Sequence, residues 1–140
     1  MAKIVVAVEQ IGPSASEGAA RTHRVHIDRP VAKGGEDRGP MGGELLLISL
    51  GGCFMSNLLA AIRAREAAVS GVRIGVEGAL GGTPERVESV VLTVAADFED
   101  EELMRKLITI ADRACIVSNT LRPAVELSVV LGPARGAAGG

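Results

Sequence analysis

A chain of 140 residues has the length of one domain and can bury one core without disulfide staples. Its 15 basic and 17 acidic residues nearly cancel to a net charge of −2, and Phe54 and Phe98 are the only aromatic residues. This composition excludes a basic, base-stacking nucleic-acid surface. With 47% hydrophobic residues the core must be aliphatic, and surplus apolar surface on so small a domain is expected in an oligomer interface.

Residues 3–9 read as a strand with Ile4 and Val6 facing inward. The start, Met1 to Val6, lacks the layout of a secretory signal, so the expected compartment is the cytoplasm. Gly12-Pro13-Ser14 opens a turn that runs through small residues to Ala20. Residues 22–28 alternate polar and apolar side chains, as a half-buried strand does, which predicts an N-terminal hairpin. His23 and His26 have no carboxylate or cysteine at metal-ligand spacing and are read as exposed, with no metal expected. Residues 30–43 form a Gly-rich loop. Gly34-Gly35 and Gly81-Gly82 read as turns, since no Gly-x-x-x-x-Gly-Lys pattern follows, and no cofactor is expected.

Residues 44–68 carry the longest helical pattern. From Leu45 to Ile62 the only polar side chains are Ser49, Ser56 and Asn57, a run long enough to raise a membrane span. Gly51-Gly52, the mid-span Ser56-Asn57 and a strand-rich remainder favour the other reading, a central helix wrapped by sheet or by a partner subunit. That reading predicts a homodimer and no membrane. Residues 72–80 and 86–98 read as strands joined at Gly81-Gly82-Thr83-Pro84. Asp100 is placed to cap a helix over 101–114, with Leu103, Leu107 and Ile110 along one face. Cys115 follows, then a short turn at Ser118-Asn119-Thr120, and a last strand over 125–131. The small-residue stretch 132–140 is expected to be a flexible tail. The order predicts an α+β fold with an antiparallel sheet, one domain over 1–131.

Cys53 and Cys115 are the only cysteines. In a reducing compartment such residues are more often reactive than structural, although free cysteine is also a common inert core residue. On an ideal helix Cys53 shares a face with Leu46, Ser49, Ser56 and Asn57. Either these polar groups line the thiol, or Ser56 and Asn57 bond back to helix carbonyls. A nucleophilic cysteine needs a lowered pKa.

The run Gly39-Pro40-Met41-Gly42-Gly43-Glu44-Leu45-Leu46-Leu47, leading to Gly51-Gly52-Cys53, resembles the OsmC/Ohr superfamily pattern of Gly-Pro, Glu-Leu-Leu, small residues, then Cys. Cys115-Ile116-Val117-Ser118-Asn119 resembles its second motif, Cys-Pro-Val-Ser-Asn, with Ile116 in place of proline. The resemblance implies interlocked dimers whose sheets wrap central helices. It also implies a thiol peroxidase, with an organic hydroperoxide and an external dithiol reductant as partners. By motif position Cys53 is the attacking cysteine and Cys115 the resolving one. This resemblance, together with the polar groups on its face, leads to the expectation that Cys53 titrates below an ordinary thiol and Cys115 does not. The acidic residue that orients an activating arginine in better-studied members falls at Gly43 here. Glu44 matches instead a branch with Glu-Leu-Leu-Leu nine residues before Cys, and its other reading is a favourable charge at a helix N-terminus. The activating arginine has no clear match. Arg21, Arg24 and Arg38 are candidates, Arg38 first, and each is otherwise a solvated charge. The missing arginine and Ile116 leave open a non-catalytic dimeric binding or redox-responsive module.

Overall fold

The structure, a computed structural model, describes residues 1–133, so the tail expected over 132–140 lies almost wholly outside the described residues. The chain folds as β1 (Ala7–Gln10), β2 (Ser16–Ala20), β3 (His23–Ile27), a 3-10 turn (Val31–Lys33), α1 (Gly42–Ala64), β4 (Val69–Gly81), β5 (Arg86–Phe98), α2 (Glu101–Ala114), α3 (Ile116–Leu121) and β6 (Glu126–Leu131). It divides into two compact units, Met1–Leu46 and the chain from Leu47 onward.

The first unit is a three-stranded antiparallel meander, β1-β2-β3, rather than a hairpin. The added strand is Ser16-Glu17-Gly18-Ala19-Ala20, a sequence of low β propensity. Its small residues have a packing reason: a Cβ on Gly18 would stand 3.0 Å from Cγ1 of its cross-strand neighbour Val25. The expected inward face of the first strand is corrected. β1 begins only at Ala7, and Ile4 and Val6 are exposed, at 82% and 61%. The unit is held instead by a polar latch. Asp28, only 2% exposed, accepts from the backbone N–H of Arg29 at 2.7 Å, Glu36 at 3.2 Å and Arg38 at 3.2 Å. Burial pushes its carboxyl up, but these N–H groups and the Ser14 hydroxyl outweigh burial and hold it below the ordinary 3.8.

The second unit holds the apolar core. Alternate residues of β5, Val90, Leu92, Val94 and Ala96, are buried, following the strand period of two. Against them lie Leu50, Phe54, Leu58, Ala61 and Ile62 of α1, and Met104, Leu107, Ile108 and Ala111 of α2. Gly51 brings α1 close to β4, since a Cβ there would stand 3.1 Å from Cγ2 of Val76. By length and hydropathy α1 could cross a membrane, but its apolar face supplies this core. Asp100 caps α2 as the sequence predicts, accepting the Leu103 N–H at 3.0 Å.

The sheet order is β4-β5-β6, with β4 and β5 antiparallel but β6 parallel to β5. The expected α+β fold with antiparallel pairing stands for β1 to β5, and β6 alone departs from it. The reason lies between the strands: α2 and α3 form a crossover long enough to return the chain to the end where β5 begins.

Candidate active site at a pair of thiols

Two local choices bring the cysteines together. Cys53 sits one turn beyond Leu50 on α1, half-buried at the edge of the core. Cys115 is fully buried at the junction where α2 ends and α3 begins. It serves as the N-cap of α3, its Sγ accepting the Ser118 N–H at 3.4 Å. Both cysteines are free, and their thiols interact directly. The backbone N–H groups of Val117 and Ile116 also bond Cys53 Sγ. Such groups favour the thiolate, as they do wherever a helix start meets a negative charge.

The balance at Cys53 nevertheless runs the other way. Burial pushes its thiol above the ordinary 9.0, the Val117 N–H pulls it down, the neighbouring Cys115 raises it again, and the Ile116 N–H lowers it, with a net rise. The expectation that Cys53 titrates below an ordinary cysteine is thus corrected. The motif fixes where the thiol stands, while its pKa follows from burial and from a second sulfur beside it.

The polar residues near Cys53 divide between the two readings. Ser56 Oγ donates to Gly52 O at 3.0 Å, the back-bonded arrangement. Asn57 Nδ2 donates to Cys53 O at 2.9 Å and lies 3.9 Å from Cys53 Sγ, so it serves both.

The remaining sequence candidates lie in the first unit. Glu44 Oε1 accepts the Met41 N–H at 2.8 Å, which closes the first turn of α1. Arg38 donates from its guanidinium to Ile11 O at 3.4 Å and from its N–H to Asp28. His26 has the carboxylate partner that the sequence did not offer: Nε2 lies 3.0 Å from Oε2 of Glu17, its cross-strand neighbour. Arg24 Nε is 3.4 Å from the same carboxylate.

Sequence reasoning missed the surroundings of Cys115. Ser118 is fully buried, and among the described residues its Oγ has no hydrogen-bond partner. The signal was the spacing Cys115-x-x-Ser118, which matches a helix-start capping pair with sulfur as the acceptor.

The fold is similar to several solved structures. One is an OsmC-like protein from Mycoplasma pneumoniae, 16% identical, with a TM-score of 0.82 over 94% of this chain and 96% of that one. Another is an organic hydroperoxide resistance protein from Elizabethkingia anophelis with bound thiocyanate, 18% identical, TM-score 0.73, covering 94% and 96%. The organic hydroperoxide resistance protein OhrB of Bacillus subtilis is 19% identical, TM-score 0.68, covering 93% and 98%. At such identities the likeness is one of fold. No curated protein matches the chain. The family described as OsmC-like protein matches residues 34–130, a span that runs from the loop before α1 through both cysteines and into β6. With that match over most of its length, and its two motif cysteines in contact, the chain belongs to the OsmC-like family.

Proposed function

We propose that this protein is a thiol-dependent peroxidase that reduces organic hydroperoxides through Cys53 and Cys115. The observation that carries the reading is the direct contact of the chain's only two thiols, one half-buried and one fully buried. In this reading Cys53, the more accessible sulfur, attacks the peroxide O–O bond as the thiolate. It becomes a sulfenic acid, and the alkoxide leaves and takes a proton as the alcohol. Cys115 then displaces the sulfenic oxygen as water and forms the disulfide. An external dithiol returns both residues to the reduced state. The family's neighbours described as organic hydroperoxide resistance proteins support this substrate class and an antioxidant, stress-response role. Arg38 is the candidate to activate the Cys53 thiolate and Glu44 to orient it. The working form is a cytoplasmic homodimer of one domain over 1–131. Its exposed apolar residues on and before β1, Ile4, Val5, Val6 and Val8, supply interface surface.

The test separates the two sulfurs. Cys53→Ser abolishes hydroperoxide reduction. Cys115→Ser consumes about one equivalent of peroxide and stalls as a sulfenic acid that dimedone captures. Oxidised wild type carries an intramolecular disulfide, seen by mass spectrometry as the loss of two hydrogens. One feature favours a second reading: burial and the neighbouring Cys115 push the Cys53 thiol up, which disfavours the thiolate. If oxidised wild type lacks the disulfide and neither thiol captures dimedone, the protein is a binding or redox-responsive module of the same fold.

A further inference from the structure

Ser118 stands out among the buried groups. Its side chain is fully buried, and its Oγ has no hydrogen-bond partner among the described residues. Leaving a buried hydroxyl unpaired is costly, and alanine would fill nearly the same space without that cost. The position is specific. Ser118 lies three residues after Cys115 on α3, where side chains of neighbouring turns meet, and its own N–H already bonds Cys115 Sγ at 3.4 Å. A hydroxyl there can turn among its staggered rotamers.

When Cys115 attacks, negative charge develops on a sulfur that is fully buried, with the Ser118 N–H as the one donor described at it and apolar residues around it. We infer that Ser118 is a positioning residue for the resolving step, its free hydroxyl held in reserve to donate to the Cys115 thiolate. The inference rests on the peroxidase reading above and adds the group that makes Cys115 competent within it. The step balances without any further reactant. The Cys115 thiolate attacks the Cys53 sulfenic sulfur, an S–S bond forms, the S–O bond breaks, and the departing hydroxide recombines with the proton lost by Cys115. The Ser118 O–H donates a hydrogen bond and keeps its proton.

The experiment uses Ser118→Ala in the full chain. Stopped-flow measurement with an organic hydroperoxide separates sulfenic acid formation from disulfide formation. The first step is expected to stay within about twofold of wild type, and the second to slow roughly tenfold, as for loss of one hydrogen bond to a charged group. Carbon-13 labelling at cysteine Cβ follows the Cys115 titration without any peroxide, and its midpoint is expected to rise in the variant. Thermal unfolding is expected at or above the wild-type temperature, since the unpaired hydroxyl is gone. Disulfide formation at the wild-type rate, or an unmoved Cys115 titration, overturns the inference while leaving the peroxidase reading intact. Failure of wild-type Cys53 to form any sulfenic acid overturns the peroxidase reading instead, and the Cys115 titration alone then decides whether Ser118 donates.

Discussion

The unit ending at Leu46 and the unit beginning at Leu47 stabilise themselves by different means. The first buries Ala15, Gly18 and Asp28 and leaves Ile4, Val5, Val6, Val8 and Val25 exposed. Its order comes from strand pairing and from one carboxylate that ties down a loop. The second buries Phe54, Leu50, Leu58, Leu92 and Met104 completely, with the Cys115 thiol inside that core and the Cys53 thiol at its edge. The difference teaches where each kind of sensitivity lies: packing in the second unit, polar connections and outer surface in the first.

The largest expected effect follows from the core. Phe54→Ala removes a fully buried ring and is expected to cost about 3–5 kcal/mol, measured by chemical denaturation. A loss under about 1 kcal/mol would mean that the second unit does not depend on this packing. Next comes the exposed face of the first unit. Val8→Asp is expected to weaken the proposed dimer by at least about tenfold, since one buried valine contributes about that much to association. Light scattering at micromolar concentration would then show a monomer with an unchanged circular dichroism spectrum. An unaltered dimer would move the interface away from β1.

The third prediction concerns the polar latch. The Asp28 carboxyl is held below 3.8, so its contribution is present above the unfolded value and is lost as pH falls through the lowered one. Amide exchange at Glu36 and Arg38 is expected to speed up below pH 3.8, and at neutral pH in Asp28→Asn. Amides of β5 are expected to keep their protection. Equal loosening in both places would merge the two units into one cooperative body.

The same contrast governs what the sequence revealed. β5 and α2 stand within the expected bounds because each carries two agreeing signals, a clear period and a terminus marked by Asp100 or by the Gly81-Gly82-Thr83-Pro84 turn. β2 escaped because Ser16 to Ala20 has neither period nor propensity, and only cross-strand contact with Val25 explains it. The direction of β6 was hidden because strand order depends on where a crossover lands, which no local residue encodes. The motifs marked Cys53 and Cys115, yet not the environment that raises the Cys53 thiol, because that environment comes from α3 and from burial. The unpaired Ser118 hydroxyl was invisible for a related reason, since a missing partner is a property of packing.

The smallest effect tests the coupling of the two sulfurs. Cys115 raises the Cys53 thiol in two ways, through a hydrogen bond and through charge, while burial of Cys53 is the largest cause of the rise. Replacing Cys115 therefore lowers the Cys53 titration without restoring an ordinary thiol, provided that the Val117 and Ile116 N–H groups stay in place. That condition selects the variant. Alanine would remove the N-cap acceptor of α3 and release the start of that helix, whereas serine is a favoured N-cap and keeps an acceptor for the Ser118 N–H. In Cys115→Ser the rate of Cys53 alkylation, followed against pH, is expected to reach half its maximum at lower pH than in wild type. The unfolded thiol is the reference for the sign: a raised folded pKa means that the folded site disfavours the thiolate, and removing one cause of the rise makes the thiolate less costly. An unchanged midpoint would assign the whole rise to burial. A midpoint that climbs would show that the contact with Cys115 stabilises the Cys53 thiolate rather than opposing it.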